Sequence, residues 1–138
     1  MTTNQAFTPV HVEYRNGTYY GQLSSDYKRN GKGMLILDTS TVLFAEWKDN
    51  QVEGMYIYLT DGIRAYGTMV NGKLDGYNII STTASYSGNG QTGQYSSTNL
   101  NQQGNIRTFY GTFRNEKIYG RCVLVDNDLL MICQYSNN

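Results

Sequence analysis

The stretch AYGTMVNGKLDGYNII, residues 65–80, decides the fold. Asn71-Gly72 lies between two runs of apolar and aromatic residues, and an Asn-Gly pair in that setting is the strongest short signal for a β-hairpin. Gly76 follows the turn and leads into a second apolar run. The stretch therefore predicts a strand, a tight turn and a second strand.

The beginning of this stretch recurs along the chain. Its template is an aromatic residue, Gly or Ala, any residue and a large apolar residue, and the small residue stands at positions 21, 45, 67 and 111. These positions are 22 or 24 residues apart, with the last interval doubled. We expect a weakened copy in the doubled interval, at Tyr86 to Gly90, where the large apolar residue is missing. Since one hairpin cannot bury its own apolar face, this period predicts hairpins stacked into a continuous sheet.

The predicted fold class is all-β: an elongated single-layer antiparallel meander of stacked β-hairpins in a twisted or curled sheet, with no long helix. Thirteen tyrosines, 15 glycines and one proline favour strands and turns over helices. We treat residues 1–138 as one repeat domain. Its predicted parts are an opening strand at about 10–14, copies at about 19–37, 43–59, 65–80 and 109–125, a degenerate copy at about 86–103, and a closing strand at about 129–135.

Charge and cysteine content exclude several classes of protein. The 11 basic side chains are balanced by 11 acidic ones, so no long-range field draws the chain to nucleic acid, and we expect no nucleic-acid partner. Two cysteines are too few for a disulfide framework, and no basic start followed by an apolar run indicates a signal peptide. No apolar run approaches the ~20 residues that span a bilayer. We therefore expect an intracellular protein.

Little in the sequence indicates catalysis. His11 is the only histidine, so the chain cannot assemble a multi-histidine metal site, and it has no second histidine to offer for a catalytic triad. We expect His11 on an edge strand. Residues 88–93 fit the formula G-x-G-x-x-G but neither follow a clear strand nor open a helix. Glu46, Asp49 and Glu53 are interpreted as solvated turn residues. We predict that the protein is not an enzyme and has no cofactor or metal.

The copies resemble MORN (membrane occupation and recognition nexus) repeats. In the best copy the residues on family positions are Gly67, Met69, Asn71, Gly72, Lys73 and Gly76, and in the next they are Phe109, Gly111, Phe113, Asn115, Lys117 and Gly120. Departures include Ala45 in place of a glycine, and Asn50 and Glu116 in place of a turn glycine. The resemblance implies an extended sheet of hairpins, a role as a scaffold, membrane-linked module or partner-binding surface, and no catalytic residue. It also implies structural roles for Gly21, Gly33, Gly54, Gly67, Gly76, Gly111 and Gly120.

Two aromatic stripes are expected because alternate residues of a strand share a face. The first face carries Tyr19, Leu23, Leu43, Trp47, Met69, Phe109 and Phe113, and the second carries Tyr20, Phe44, Tyr66 and Tyr110. Runs such as 34–37 and 123–125 are apolar on both faces, which is typical of sheets covered on both sides. We predict that curling closes one face and that a partner covers the other. The alternative is that the loop at 81–105 folds back over the second face.

The predicted function is a non-catalytic scaffold that binds a protein partner or larger assembly through aromatic-lined faces. The predicted partner-binding residues are Tyr20, Phe44, Tyr66, Tyr110, Trp47, Met69 and Phe113. Cytoskeletal or ciliary placement follows from family analogy alone. One alternative is a phosphoinositide-binding, membrane-linking module using Lys28, Arg29 and Lys32, and another is a homodimer with no other partner.

The two cysteines are expected to face each other. A two-residue turn at Asn127-Asp128 would place Cys122 opposite Cys133 on adjacent strands. In a reducing compartment we expect two buried thiols there, with a disulfide as the alternative.

Overall fold

The computed structural model describes residues 9–38, 40–83, 85–86, 95–96, 106–126 and 129–135. These residues contain no helix and form twelve strands. The strands are β1 (Val10–Tyr14), β2 (Gly17–Leu23), β3 (Arg29–Leu37), β4 (Thr41–Lys48), β5 (Gln51–Thr60), β6 (Ile63–Val70), β7 (Lys73–Thr82), β8 (Ser85–Tyr86), β9 (Tyr95–Ser96), β10 (Arg107–Arg114), β11 (Lys117–Asp126) and β12 (Leu129–Tyr135).

Ten of the strands form one open antiparallel sheet. Its order is β1-β2-β3-β4-β5-β6-β7-β10-β11-β12, so each strand pairs with its neighbours along the chain except where β7 meets β10. The predicted fold class, a single-layer meander of hairpins, is confirmed. β7 pairs directly with β10, and β8 pairs with β9 as a separate two-stranded sheet. The described residues of the predicted degenerate copy at 86–103 are Tyr86, Tyr95 and Ser96, and they belong to this separate pair and not to the main sheet.

Tight turns join the two strands of the repeated hairpins. Both turn residues have positive φ at Asp49-Asn50 (48° and 69°), Asn71-Gly72 (51° and 74°) and Asn115-Glu116 (50° and 70°). Two positive φ values define the type I′ turn, whose twist matches that of the flanking strands. Asn and Asp enter this conformation more readily than other residues with a side chain, which explains how Asp49-Asn50 forms the turn without glycine. In the third turn Asn115 has the same advantage, but the second position is taken by Glu116.

A β-bulge of two extra residues recurs in the second strand of each repeated hairpin, where its register with the first strand shifts. The register shifts between Gly21 and Leu23, Ala45 and Trp47, Gly67 and Met69, and Gly111 and Thr112. A bulge bends its strand and increases the local right-handed twist. Four bulges at equivalent positions therefore bend and twist the sheet repeatedly in the same sense.

The core lies on one side of the sheet, called here the core face and carrying Tyr19, Leu35, Ala45, Trp47 and Tyr56. Large side chains there cover small residues of adjacent strands. The Tyr19 ring and hydroxyl fill the space that a Cβ on Gly33 would need. Trp47 donates from Nε1 to the Gly33 carbonyl at 3.0 Å, and its ring meets the Tyr19 ring edge-on at 5.9 Å.

The disulfide lies in the last hairpin. Cys122 and Cys133 face each other in the β11–β12 register, as predicted, and their Cα atoms are 5.1 Å apart, within the range that a disulfide requires. The structure joins them as a disulfide, which was the alternative, so the expectation of two free thiols is wrong. The predicted turn at Asn127-Asp128 lies outside the described residues.

Candidate protein-binding face

One row of side chains crosses all ten strands of the main sheet on the side opposite the core face. We call this side the open face and the row the open-face ladder. Each member is paired in register with the next: His11, Tyr20, Met34, Phe44, Ile57, Tyr66, Ile79, Tyr110, Val123 and Ile132. With adjacent strands ~4.8 Å apart, the ladder is about 43 Å long. Nine of its ten residues are apolar or aromatic.

The open-face ladder is accessible to solvent. Tyr20, Phe44 and Tyr66 keep 42%, 47% and 49% of their surface exposed, whereas Tyr19, one residue before Tyr20, is fully buried on the core face. Monomeric proteins seldom leave a contiguous apolar patch of more than a few hundred Å² in water. A row of this length therefore has the dimensions of a binding surface.

Rows on either side of the ladder widen the apolar surface. Ile36, Val42 and Leu59 are paired across β3, β4 and β5 on one side, and Met55 and Tyr77 lie on the other. Met55 and Tyr77 are exposed. These rows explain why the strand at 34–37 is apolar at successive residues: Leu35 packs in the core, while Met34 and Ile36 lie on the open face.

A depression of about 250 Å³ lies on this face between β3, β4 and β5. Its lining residues are Lys32, Phe44, Ala45, Glu46, Met55, Tyr56 and Ile57. Glu46 Oε2 accepts the backbone N–H of Met55 at 2.9 Å, so this carboxylate is held against the neighbouring strand. The lining combines apolar residues with one basic and one acidic side chain, a combination that suits a protein side chain.

The structure divides the seven predicted partner-binding residues between the two faces. Tyr20, Phe44, Tyr66 and Tyr110 belong to the open-face ladder, with Tyr110 half-buried. The others lie on the core face: Trp47 and Phe113 are only 5% and 7% exposed, and Met69 packs against the core. These three residues stabilise the sheet and present no surface to a partner on the open face.

Besides His11, five ladder residues were not among the partner-binding residues predicted from the sequence: Met34, Ile57, Ile79, Val123 and Ile132. They stand on the second strand of each hairpin or on the closing strand, where no glycine or alanine marks the position. The sequence signal that could have identified them is the register between strands, which follows from the position of each turn. A two-residue turn at Asn71-Gly72, followed by a bulge of two extra residues in the second strand, pairs Tyr66 with Ile79.

The structure also describes His11 and the residues that could bind a metal ion. His11 lies on the edge strand β1, as expected, with its ring stacked on Tyr20 at 4.7 Å between centroids. Within the described part of the chain, no group of three or more His, Cys, Asp and Glu residues could hold a metal ion. The G-x-G-x-x-G segment at 88–93, and most of the loop at 81–105 that could cover the second face, lie outside the described residues.

Comparison with protein-family models and with curated proteins finds no match to this sequence. In the described ranges, no helix has the length and apolar character needed to cross a membrane.

Proposed function

We propose that this chain is a non-catalytic, MORN-like binding module whose open face receives an apolar surface of a protein partner. The observation that carries the proposal is the open-face ladder, a solvent-accessible and almost wholly apolar row across ten strands. Burial of exposed apolar area stabilises a complex by about 25 cal/mol per Å² before the costs of association are subtracted. Family analogy extends the proposal to a scaffold in a cytoskeletal or ciliary assembly.

The shape of the ladder favours a partner that extends across the strands. Its length of about 43 Å equals that of a helix of about 29 residues at 1.5 Å per residue. An amphipathic helix or a second sheet layer could therefore contact most of the row. Tyrosine, phenylalanine and methionine, which make up half of the ladder, are enriched at protein interfaces.

Membrane binding is the weaker alternative because the predicted basic cluster has other contacts. Lys28 Nζ pairs with Asp26 at 3.0 Å, and the hydrogen bond to the Asp26 carboxylate, followed by its Coulombic attraction, raises the pKa of Lys28. The Arg29 guanidinium lies over the Trp47 ring at 4.6 Å. Among the described residues, Lys32 is the one member of the three with neither an ion pair nor a ring contact, which leaves little local charge for an anionic headgroup.

The test uses two exposed ladder residues on central strands. Tagged protein is crosslinked in native extract, and its partners are recovered and identified by mass spectrometry beside the variant Phe44→Ser, Tyr66→Ser. We expect the wild type to recover a saturable protein set that untagged wild type displaces, and the double variant to lose at least about 90% of it, as hot-spot aromatics do.

The control variant is Tyr27→Ser, because Tyr27 is 83% exposed and lies in the loop between β2 and β3, away from the ladder. Thermal unfolding verifies that all variants remain folded. Equal recovery by the wild type and by the folded double variant would exclude the open face as the binding surface.

A further inference from the structure

The two edges of the main sheet differ in their protection. β1 follows Pro9 and carries His11 and Glu13, whose side chains approach to 3.7 Å. β12 has the sequence LLMICQY, with neither a charge nor a proline. Natural sheets protect exposed edges with charges, prolines, bulges or short strands. β12 is seven residues long, pairs with β11 without a register shift and has none of these devices.

The unprotected edge is held ready for pairing. All seven residues of β12 are in register with β11, and the Cys122–Cys133 disulfide fastens the strand near its middle. Leu129, Leu130 and Ile132 are 60%, 60% and 73% exposed. A strand that is already extended and anchored loses little conformational entropy on binding, which favours strand addition.

We propose that β12 is a homodimer interface, in which two copies of this chain pair antiparallel through their β12 edges. Ile132 is the central residue of the strand, so a two-fold axis beside it places each Ile132 opposite the same residue of the second copy. Leu130 then faces Gln134 of the second copy on the open face. The open-face ladder continues across the axis, and its length doubles.

Symmetry explains why a second copy is the occupant. A two-fold contact uses the same surface on both copies and closes at the dimer, so both unprotected edges are consumed. Head-to-tail addition of β12 to β1 would meet Pro9 and the charged side chain of Glu13 and would generate an open filament. The dimer leaves only the two protected β1 edges exposed. The proposal concerns the sheet edge and does not rest on the proposed function.

Sedimentation velocity of the purified full-length chain tests the proposal. The concentrations run from about 1 μM to about 1 mM, the range in which a weak dimer passes from mostly monomer to mostly dimer. We expect a dimer for the wild type. Ile132→Lys places two like charges opposite each other and is expected to raise the dimer Kd at least about a hundredfold. Leu130→Lys is the second edge variant, used if Ile132→Lys shows impaired folding by thermal unfolding.

The matched control is Ile57→Lys, because Ile57 is an exposed isoleucine of the same ladder on a central strand. A dimer lost in the edge variant and retained in Ile57→Lys supports pairing through β12. If the dimer is instead lost in Ile57→Lys and retained in the edge variant, the two copies associate through stacked open faces, and the proposal is overturned. A wild type that is monomeric at every concentration overturns it as well.

Discussion

At the scale of single residues, the fold depends on small side chains beneath large ones. Gly33 lies under Tyr19, and the Asn78 side chain occupies the space beside Gly67. Phe109 lies against Gly111 in the same way. Where the second copy has Ala45 in place of glycine, the residue two positions earlier is Leu43 instead of an aromatic. The copy with Gly67 also lacks an aromatic residue at this position and has Ala65, so of the four copies those with Gly21 and Gly111 carry the aromatic residue.

The buried pair of Tyr56 and Asn78 joins alternate strands across β6. The Tyr56 hydroxyl donates to Asn78 Oδ1 at 2.7 Å, and Asn78 Nδ2 donates to the carbonyls of Thr68 and Gly76. Asn78 is fully buried. An amide in such a position requires its hydrogen bonds because losing a partner costs the desolvation of the group left behind.

Tyr56→Phe is expected to lower the free energy of unfolding by about 1–3 kcal/mol, because Asn78 Oδ1 loses its buried donor. Burial raises the pKa of Tyr56 to about 12 from its usual value of 10.0. The folded state thus disfavours ionisation: stability due to Tyr56 is complete below pH 10 and is lost as the pH rises towards 12. Urea denaturation between pH 8 and 12 should show this loss in the wild type.

The control for this prediction is Tyr77→Phe, since Tyr77 is exposed and lies on β7 next to Asn78. It should keep wild-type stability at neutral pH and the wild-type loss at alkaline pH. A Tyr56→Phe protein with an alkaline loss as large as that of the wild type would contradict the assigned role of the Tyr56 hydroxyl.

At the scale of elements, hydrogen bonds at the turns connect successive hairpins. The second residue of each I′ turn donates its N–H to a strand of the preceding hairpin: Asn50 to the Arg29 carbonyl, Gly72 to Val52 and Glu116 to Leu74, at 2.9–3.0 Å. Carboxylates add to this connection. Glu53 Oε2 accepts the N–H of Asn71 at 2.6 Å, and Asp75 Oδ2 accepts the N–H of Asn115 at 3.2 Å.

The sequence interpretation of Glu46 and Glu53 as solvated turn residues is therefore wrong. Both lie in strands and accept backbone N–H groups, Glu46 from Met55 and Glu53 from Asn71. The sequence shows a carboxylate immediately before a glycine in two successive copies, at Glu53-Gly54 and Asp75-Gly76. Its partner could not be read from this pattern because the acceptor and donor lie 18 and 40 residues apart.

Glu53→Ala should lower the free energy of unfolding by about 1 kcal/mol, since the Asn71 N–H exchanges a carboxylate for water. Adding Asp75→Ala should roughly double this loss because the two groups cap different hairpins and act independently. Denaturant titration of the single and double variants measures both effects. Glu53→Gln keeps an acceptor and should lose less stability than Glu53→Ala. Equal stability of Glu53→Ala and the wild type would show that the hydrogen bond from Asn71 to Glu53 contributes nothing.

At the scale of the whole molecule, the ten-stranded sheet has one face that packs on itself and one that does not. The bulges curve the core face, and aromatic side chains pack over small residues of adjacent strands there. Tyr19, Trp47 and Tyr56 are almost fully buried as a result. The open face has no comparable overlay, and its ladder remains accessible in the described part of the chain. Charge is balanced at 11 against 11, so neither long-range attraction nor repulsion selects a partner.

This balance predicts weak binding to anionic membranes. Vesicles of phosphatidylcholine, with and without phosphatidylserine and a phosphoinositide, should sediment similar small amounts of the protein. Each basic residue near an anionic surface contributes about 1 kcal/mol, and neighbouring carboxylates offset this gain. Strong sedimentation with anionic vesicles alone, reversed at about 0.5 M salt and by Lys28→Ala, Lys32→Ala, would support the membrane-linking alternative.

The sequence by itself determined the strands, the turns and the order of the meander, because these depend on short-range patterns: Asn71-Gly72 at a turn, a small residue every 22 or 24 positions, and apolar residues in strands. It also predicted that Cys122 faces Cys133, since a short turn sets the register. Tertiary structure alone decided which aromatic residues are buried. The sequence places Trp47 and Phe44 on opposite faces but does not show which face is buried. Curvature and the contact with Gly33 bury Trp47 and leave Phe44 exposed, because burial depends on residues brought together from neighbouring strands.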